Sequence, residues 1–378
     1  MKILLLQPYL NQRGGGERVI LKIAQHYNAS IYLLEYSPEN TFREFKDLDI
    51  KIVGKKLPFS NLLPYRASQG LRYGYNFYNL KIKEEYDVLN PHISPSEWIR
   101  NKNERVLWYC HTPPREVYDL YKSRMQNRSY KEKLLYSSMT KMYKFISGNV
   151  VKNIESIATN SSNTQSRIKK YYSRDSTIVN PGIDYEEFAN NGDDNYFFYP
   201  SRISPNKQQD YVITAFRLFS KIEKTKKYSL ILAGGLSKDP EHLSYYKKIK
   251  ELSKGLNIKI KLNISDKELK DLYSNSTAVL LAPKNEDFGI VYLEAMSSSK
   301  PIISINEGEP KNFIVNGKNG FLINSAEEMS KIMLELITDK KTAEKIGSNA
   351  RNYVIKNFSW NMFFKKFDLL LKKTSKIN

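Results

Sequence analysis

Two glutamates flank a predicted helix start in the segment Pro283–Met296. A buried strand is predicted to end at Ala282, so the loop after it presents Glu286 at the edge of a sheet. A helix that begins near Gly289 places Glu294 about 7–8 Å further along its axis, at roughly 1.5 Å per residue. The first N–H groups of a helix have no partner inside it and attract an anion. Here those groups belong to Phe288, Gly289 and Ile290. The pattern indicates a diphosphate site with hydroxyl-bearing groups on both sides; the alternative is a capping glutamate and a surface glutamate.

Two cations follow another predicted strand end, in Pro200–Lys207. Arg202 offers a planar fork of donors and Lys207 a point charge, a pair that suits a diphosphate. Solvated cations on a basic surface are the alternative interpretation. The position of the pair, after a strand and before a helix predicted to begin near Asp210, favours phosphate binding.

Two further features lie in the first half of the chain. Gly14-Gly15-Gly16 follows the first predicted strand and opens a helix, where glycines let backbone N–H groups approach a phosphate. A simple tight turn explains the same residues. His111 follows a strand directly and precedes two prolines, which places it on a rigid loop at a sheet edge. A histidine bonded to a backbone carbonyl is the alternative there. The other histidines, His26, His92 and His242, are interpreted as structural or solvated.

Composition limits the classes of protein that fit. The chain has 378 residues, with 60 Lys and Arg against 40 Asp and Glu, a net charge of +20 that favours anionic partners. A single cysteine, Cys110, excludes an internal disulfide framework and a multi-cysteine metal site. The apolar start, Met1–Leu6, is far shorter than the roughly 20 residues of a membrane span, so it is predicted to be a buried strand of a cytoplasmic protein.

Short apolar runs alternate with amphipathic stretches, which predicts strands feeding helices in parallel sheets. The polar stretch Asn190–Asn195 interrupts the pattern and is interpreted as an interdomain linker. The predicted strands are Lys2–Leu6, Ser30–Leu34, Ile50–Val53, Val88–Asn90, Val106–Tyr109, Ser156–Asn160, Ser176–Val179, Tyr196–Tyr199, Tyr228–Ala233, Ile258–Leu262, Thr277–Ala282, Pro301–Ile305 and Gly320–Ile323. The predicted helices of the second half are Asp210–Glu223, Tyr245–Ser253, Asp266–Tyr273, Ile290–Ser298, Ala326–Leu336 and Trp360–Lys373. Two doubly wound α/β units in series are expected to bind ligands at the carboxyl ends of their strands.

Taken together, these motifs resemble the glycosyltransferases of family four, which have the GT-B architecture of two facing Rossmann-like domains. Glu286 and Glu294 match the family's pair of glutamates, and Arg202 with Lys207 matches its phosphate-binding cations. Asn180–Asp184 resembles the segment that enters its second domain. The stretch around His111 is similar, more loosely, to the subset that transfers mannose or related hexoses. The resemblance implies an acceptor domain at 1–188, a nucleotide-sugar domain at 189–358, and a C-terminal amphipathic helix at 359–378 that is a candidate to pack on the first domain.

The resemblance also implies a reaction and a role for each residue. A hexose of the mannose or glucose type would move from a nucleotide-diphosphate sugar to a glycan or lipid-linked acceptor, in surface polysaccharide or glycoprotein glycan assembly, with retention of anomeric configuration. Arg202 and Lys207 would hold the diphosphate, Glu286 the sugar hydroxyls and Glu294 the ribose. Backbone donors would come from Phe288 and Gly289 and, in the other domain, from Gly15 and Gly16. His111 would sit at the reacting sugar.

No metal is expected to take part, because fixed cations and N–H groups can stabilise a leaving diphosphate. Asp47-Leu48-Asp49 has the form of a metal-binding triplet but lies away from the other motifs, so a solvated turn is predicted there.

The segment Tyr121–Phe145 interleaves aromatic and apolar residues with cations and contains one acid, Glu132. It could dock on an anionic membrane surface, as a lipid-linked acceptor would require, or be a solvated helix whose apolar side packs internally. Both interpretations stay open. The first would make the protein peripheral on the cytoplasmic face of the membrane.

Three other functions compete with glycosyl transfer. A nucleic-acid-binding protein would need a reading element that the sequence lacks, so no nucleic-acid partner is expected. A glycosidase would use two carboxylates without needing phosphate-matched cations. An inactive carbohydrate-binding or scaffold protein on the same fold is the main alternative, and the intact set of Arg202, Lys207, Glu286 and Glu294 disfavours it.

Overall fold

The alternation of apolar and amphipathic segments folds into two α/β units. The computed structural model describes residues 1–55, 57, 65–126 and 128–376. One unit comprises Met1–Pro181 together with Phe363–Asn378, and the other comprises Gly182–Met362. The polar stretch Asn190–Asn195 lies inside the second unit, where Lys300 Nζ donates to Asn190 Oδ1 at 2.7 Å.

In the described part of the first unit, the strands are β1 (Ile3–Leu10), β2 (Ser30–Tyr36), β3 (Ile50–Ile52), β4 (Val88–Pro91), β5 (Leu107–Cys110), β6 (Ser156–Thr159) and β7 (Thr177–Ile178). The strands β1, β4, β5 and β6 are almost wholly buried, whereas β3 and β7 lie partly exposed. They form parallel sheets in the orders β3-β2-β1-β4 and β5-β6-β7. A parallel bridge between Leu89 and Val106 links the two sheets next to β5.

Helices connect these strands. They are α1 (Gly15–Tyr27), α2 (Tyr65–Asn79), α3 (Tyr121–Gln126), α4 (Tyr130–Lys152) and α5 (Ser162–Tyr172). The final helix α12 (Trp360–Ser375) adds its greater part to the same unit. Phe364 of α12 stacks on His26 with ring centroids 3.7 Å apart, and Asp368 accepts a hydrogen bond from the Tyr27 hydroxyl at 2.7 Å.

The second unit is built on one six-stranded parallel sheet. Its strands are β8 (Tyr196–Pro200), β9 (Ser229–Gly234), β10 (Ile258–Leu262), β11 (Ala278–Leu281), β12 (Ile302–Ile305) and β13 (Phe321–Ile323). The order β10-β9-β8-β11-β12-β13 reverses direction between β8 and β11. In doubly wound sheets, ligands bind at the carboxyl ends of the strands beside this reversal.

The helices of the second unit are α6 (Gln209–Phe219), α7 (Pro240–Leu252), α8 (Asp266–Ser274), α9 (Ile290–Ser297), α10 (Ala326–Thr338) and α11 (Lys340–Asn357). Helix α7 begins five residues before its predicted start at Tyr245, because Asp239 caps it and Pro240 occupies its first turn. Helix α6 ends at Phe219 instead of Glu223, and a short 3₁₀ turn occupies Glu223–Thr225.

Alternate residues of the central strands pack against opposite layers of helices. Phe197 of β8 belongs to one buried cluster and Phe198 to the other. The same holds for Leu280 and Leu281 of β11. Burial on both faces makes these two strands a rigid base for the loops at their carboxyl ends.

Candidate functional site

The loops after β8 and β11 meet through an ion pair between two predicted site residues. Lys207 Nζ donates to Glu286 Oε2 at 2.5 Å. Both side chains are mostly covered, with 19% of Lys207 and 16% of Glu286 exposed. The pair therefore lies in a shielded position beside the strand reversal, where its charges act on a ligand more strongly than in open water.

A buried tyrosine fixes the loop that carries Lys207. The Tyr199 hydroxyl donates to the backbone carbonyl of Lys207 and accepts the backbone N–H of Ala282 at 3.3 Å. Burial raises the pKa of this phenol, so it stays protonated and keeps its donor. A backbone bond from Lys284 N–H to the Asn206 carbonyl, 2.8 Å long, ties the two loops directly. Sequence reasoning did not identify Tyr199, because its partners lie in the two loops and not beside it in the chain.

The main chain of Glu286 is clamped by the loop after β12. The Glu309 N–H donates to the Glu286 carbonyl at 3.0 Å. Gly308 has φ +70°, and a Cβ there would lie 2.4 Å from the Glu286 nitrogen. Only glycine permits this approach, so Gly308 is a site residue that the sequence analysis missed.

Helix α9 begins next to this carboxylate. Gly289 precedes it with φ +83°, and a Cβ there would lie 2.6 Å from Tyr292 and 3.1 Å from Cγ of Glu286. Phe288 is buried against Phe358, with ring centroids 6.0 Å apart. The start of α9 therefore lies beside the Glu286 side chain, and the first N–H groups of a helix favour an anion.

The second glutamate is inside the fold. Glu294 is 5% exposed, and its Oε2 accepts the hydroxyl of the buried Tyr273 at 2.8 Å. Its Oε1 has no hydrogen-bond partner in the part of the chain that the structure describes. One carboxylate oxygen is thus held by the protein and the other is available to a ligand hydroxyl.

Arg202 lies on the other side of its loop from Lys207. The neighbouring Ser201 and Ile203 donate backbone bonds of 2.9 Å to Ala233 and Gly235 at the end of β9. The Arg202 side chain is exposed and, within the described ranges, has no ion-pair partner. The loop thus presents one cation beside β9 and the other beside β11, with no direct contact between them.

Predicted residues of the first unit also come together. A Cβ on Gly16 would lie 3.7 Å from the Nε2 atom of His111, so the ring rests against the first turn of α1. Gly15 is the first residue of that helix, and Gly14 precedes it in an extended conformation. The carboxylate of Glu17, 1% exposed, folds back toward Gly14 and accepts Gln12 Nε2 at 2.9 Å.

His111 is joined to a second histidine, His92, which is buried as a structural histidine would be. His92 Nδ1 lies 3.1 Å from His111 Nε2, and His92 Nε2 lies 2.9 Å from Asn90 Oδ1. The Asn90 amide donates to the Leu107 carbonyl at 2.6 Å. Burial lowers the pKa of His111 to about 4 and that of His92 well below its usual value, so both rings are neutral at pH 7.

The basic segment Tyr121–Phe145, whose residue 127 lies outside the described residues, forms α3 and most of α4. Its exposed apolar residues Tyr130, Leu134 and Phe145 share one face of α4, at 83%, 62% and 74% exposure. The opposite face of the helix is buried through Thr140, Ser147, Val150 and Val151. Helix α4 therefore packs internally and also presents an apolar stripe to solvent.

Among the described residues, His, Cys, Asp and Glu side chains nowhere gather in threes as a metal site would require. Asp47 and Asp49 are exposed, and Asp49 accepts Ser30 Oγ at 2.5 Å, as a solvated turn predicts. Over those same ranges, no helix combines the length and apolar character needed to cross a bilayer.

Comparison with known proteins identifies relatives along the whole chain. The alpha-1,3/1,6-mannosyltransferase ALG2 of Dictyostelium discoideum is 25% identical over 99% of this chain and 98% of its own length. The mouse enzyme of the same name is 26% identical over 92% of this chain and 93% of its own. A probable sucrose-phosphate synthase of Thermosipho melanesiensis is 28% identical over 53% of this chain and 48% of its own.

Solved structures share the fold. HepE of Anabaena, crystallised with UDP and glucose, superimposes with a TM-score of 0.73 at 17% identity over 98% of this chain and 99% of its own. The sucrose-phosphate synthase of Thermosynechococcus elongatus gives a TM-score of 0.74 at 16% identity over 99% and 98% of the two chains. Residues 183–353 match the family described as glycosyl transferases group 1, which covers nearly all of the second unit. The expected GT-B fold and the expected likeness to family-four glycosyltransferases are confirmed, and residues 183–353 are similar to the group 1 glycosyltransferases.

Proposed function

We propose that this glycosyltransferase moves a hexose of the mannose or glucose type from a nucleotide-diphosphate sugar to a glycan or lipid-linked acceptor, in surface polysaccharide or glycoprotein glycan assembly, with retention of configuration. Relatives named as mannosyltransferases over almost the whole chain support the class of sugar. HepE, solved with UDP-glucose, supports the class of donor. The second unit binds the nucleotide sugar and the first binds the acceptor.

The ion pair of Lys207 and Glu286 beside the start of α9 is the observation that carries this proposal. As the sugar–phosphate bond breaks, negative charge builds on the leaving diphosphate. Lys207 and the N–H groups of α9 stabilise that charge, and one such fixed donor can contribute about 2.7–4 kcal/mol. Arg202, exposed on the same loop, supplies the second cation on the diphosphate.

The two glutamates recognise hydroxyl groups at the two ends of the donor. Glu286 accepts hydroxyls of the transferred sugar, and its fixed main chain holds it in place. Glu294 uses the carboxylate oxygen that Tyr273 leaves unoccupied to accept a ribose hydroxyl. Buried carboxylate oxygens of this kind discriminate strongly between ligands, because a ligand without the matching hydroxyl leaves the carboxylate oxygen unpaired.

Transfer proceeds by attack of the acceptor hydroxyl on the anomeric carbon from the face that the diphosphate leaves. The bond from that carbon to the diphosphate oxygen breaks, and the same oxygen takes the acceptor's proton. His111 bonds a hydroxyl of the reacting sugar, and the N–H groups of Gly15 and Gly16 serve the phosphates. No covalent enzyme intermediate and no metal are required, because protein groups neutralise the charge that develops.

The exposed stripe of α4 supports docking on an anionic membrane surface, where lipid-linked acceptors reside. Tyr130, Leu134 and Phe145 provide apolar contact, and Lys131 and Lys141 lie exposed on the same side of the helix. Each cation near an anionic surface contributes about 1 kcal/mol. In this proposal the enzyme is peripheral on the cytoplasmic face.

A panel of nucleotide sugars tests the proposal. The chain is incubated with each sugar in turn, with and without excess EDTA, and release of nucleoside diphosphate is measured together with thermal stabilisation. Release from one hexose donor, retained in EDTA, is expected. A strict divalent-ion requirement would redirect attention to Asp47 and Asp49. Binding of sugars without turnover of any donor, in the presence of glycan acceptors, would favour the inactive carbohydrate-binding protein instead.

A further inference from the structure

A hydrogen-bond chain runs from a buried amide to His111. Asn90 is buried and donates its Nδ2 to the Leu107 carbonyl at 2.6 Å, which orients its Oδ1 toward His92. An amide oxygen only accepts, so the His92 Nε2 atom 2.9 Å away must carry a proton. The tautomer of the first ring is thus set by an amide that the β-sheet holds in place.

This assignment determines the second ring. Since neutral His92 is protonated on Nε2, its Nδ1 is an acceptor. The partner 3.1 Å from that atom, His111 Nε2, must then be the donor. His111 is consequently left with an unprotonated Nδ1, which has no hydrogen-bond partner within the described residues. Burial of both rings disfavours the charged form that would change this arrangement.

We propose that His92, held by Asn90, is a positioning residue for glycosyl transfer: its Nδ1 accepts a hydrogen bond from the Nε2–H of His111, which keeps the proton on Nε2 and makes Nδ1 of His111 an obligatory hydrogen-bond acceptor for a hydroxyl of the reacting sugar. This inference rests on the proposed function of His111. When Nδ1 of His111 accepts a hydrogen bond from a sugar hydroxyl, it increases the electron density on the hydroxyl oxygen. That electron density helps to stabilise the positive charge that develops on the sugar during transfer.

The carbonyl of His111 is fixed as well. It accepts Asn160 Nδ2 at 2.9 Å and Thr164 Oγ1 at 3.2 Å. Tyr109 packs edge-on against the His111 ring, with centroids 5.0 Å apart. With main chain and ring both held, the tautomer is the remaining variable, and His92 controls it.

Imidazole nitrogen spectroscopy on the full chain tests the assignment without reference to activity. Proton–nitrogen correlation spectra of histidine-labelled protein at pH 7 distinguish protonated from unprotonated ring nitrogens, and single variants assign the four histidines. We expect both His92 and His111 to carry their proton on Nε2. A proton on Nδ1 of His111 would overturn the proposal.

Kinetics of variants complete the test. His92→Leu is expected to lower kcat by about 10- to 100-fold with KM for the nucleotide sugar within about threefold, because His111 then loses its preferred tautomer and orientation. His92→Gln, whose amide oxygen can accept the same hydrogen bond from His111 Nε2–H, should keep a higher kcat than His92→Leu. The matched control is His26→Leu, an exposed histidine of the same unit that stacks on Phe364 and should leave kcat unchanged.

The outcomes separate the two proposals. Unchanged kcat in His92→Leu, with His111→Leu strongly impaired, would show that His92 does not position His111. If the tautomers are as assigned and both variants keep full kcat, the proposed role of His111 in transfer is what fails. Thermal unfolding of each variant checks that it is folded. If His92→Leu does not fold, the wild-type spectra and the kinetics of His92→Gln test the role of His92.

Discussion

The ammonium of Lys207 lies 2.5 Å from the carboxylate of Glu286, across two loops that are 79 residues apart in the chain. A mostly buried pair of this kind adds little to stability, because desolvation offsets the attraction between the charges. Its value lies in a prearranged ligand site. In the proposed function, a nucleotide sugar offers a phosphate to the Lys207 ammonium and a hydroxyl to the Glu286 carboxylate, so each side chain exchanges its protein partner for a ligand partner.

Replacing Lys207 by Ala should weaken nucleoside diphosphate binding by about 10- to 100-fold, since a hydrogen bond to a charged group contributes about 1.5–3 kcal/mol. Binding of the matching nucleoside should change much less. Lys248, which pairs with Asp210 at 2.6 Å on the surface of the same unit, supplies the control variant Lys248→Ala. Titration calorimetry of the wild type and the two variants with both ligands gives the affinities, and equal losses for nucleoside and diphosphate in Lys207→Ala would contradict the assignment.

Gly308 and Gly317 provide a matched pair for the clamp on Glu286. Both have positive φ, +70° and +69°, but a Cβ on Gly317 meets nothing within 4 Å. Gly317→Ala should therefore cost only the backbone strain, about 1–2 kcal/mol. Gly308→Ala should cost clearly more and also reduce kcat, because the added methyl displaces the Glu286 main chain. Denaturant unfolding and steady-state kinetics compare the two, and equal effects would argue against the clamp.

Glu97 predicts a pH dependence of stability. Burial raises its pKa from 4.5 to about 7, and its Oε2 finds no hydrogen-bond partner among the residues that the structure describes. A folded-state pKa above the unfolded value means that the native state binds the extra proton. The stabilisation is then full below about pH 4.5 and is lost as pH rises through 7.

The variant Glu97→Gln removes this dependence. Its stability relative to wild type should rise between pH 5 and 7 by about 1.4 kcal/mol per pH unit. Denaturant unfolding of both proteins at several pH values gives the difference between their free energies of unfolding. The contributions of other titrating groups cancel in this difference. A difference that does not vary with pH would show that Glu97 ionises normally.

Membrane docking by α4 predicts a loss on neutralising its cations. Lys131→Gln with Lys141→Gln should reduce binding to anionic vesicles by about 30-fold, from roughly 1 kcal/mol per cation. Lys254→Gln and Lys345→Gln in the second unit serve as the charge-matched control. Co-sedimentation with neutral and anionic vesicles is the measurement, and equal binding of the two double variants would refute docking through this face.

Helix α12 should be needed for the stability of the first unit. Phe367 is fully buried there, and Leu369 is 67% exposed on the same helix. Phe367→Ala is expected to destabilise the protein by about 3–5 kcal/mol, whereas Leu369→Ala should change it by about 0.5 kcal/mol or less. Thermal or denaturant unfolding compares them, and similar losses would mean that the helix does not dock through its aromatic side.

The sequence predicted most strands within a few residues, because short buried runs bounded by turns have a distinct pattern. Helix α11 was not predicted. Its buried side consists of small or isolated residues, Ile346, Gly347, Ala350 and Val354, in an otherwise polar segment. Gly347 lies so near the Ser299 carbonyl that a Cβ would come within 2.0 Å of it. Close packing of this kind leaves almost no hydrophobic signal.

The residues of the candidate site also fall into those with a local sequence pattern and those without one. Residues with a local pattern, such as Glu286 and Lys207, were identified from type and spacing. Tyr199, Gly308 and His92 were not, because each acts on a residue that only the folded sheet brings near. Gly308 lies 22 positions after Glu286 and His92 lies 19 before His111. Their roles depend on backbone geometry and on a tautomer, and neither is encoded in the neighbouring residues.

Helix α12 belongs to the same unit as residues 1–181, although the whole second unit lies between them in the chain. The Thr374 hydroxyl of α12 donates a hydrogen bond to the Ser156 hydroxyl at 2.8 Å, and the Phe363 and Tyr109 rings pack with centroids 5.8 Å apart. During synthesis, some 180 further residues are added after residues 1–181 before helix α12 is made. Until α12 has been made, the aromatic surface that it covers in the folded unit, including the Tyr109 ring, lacks that partner.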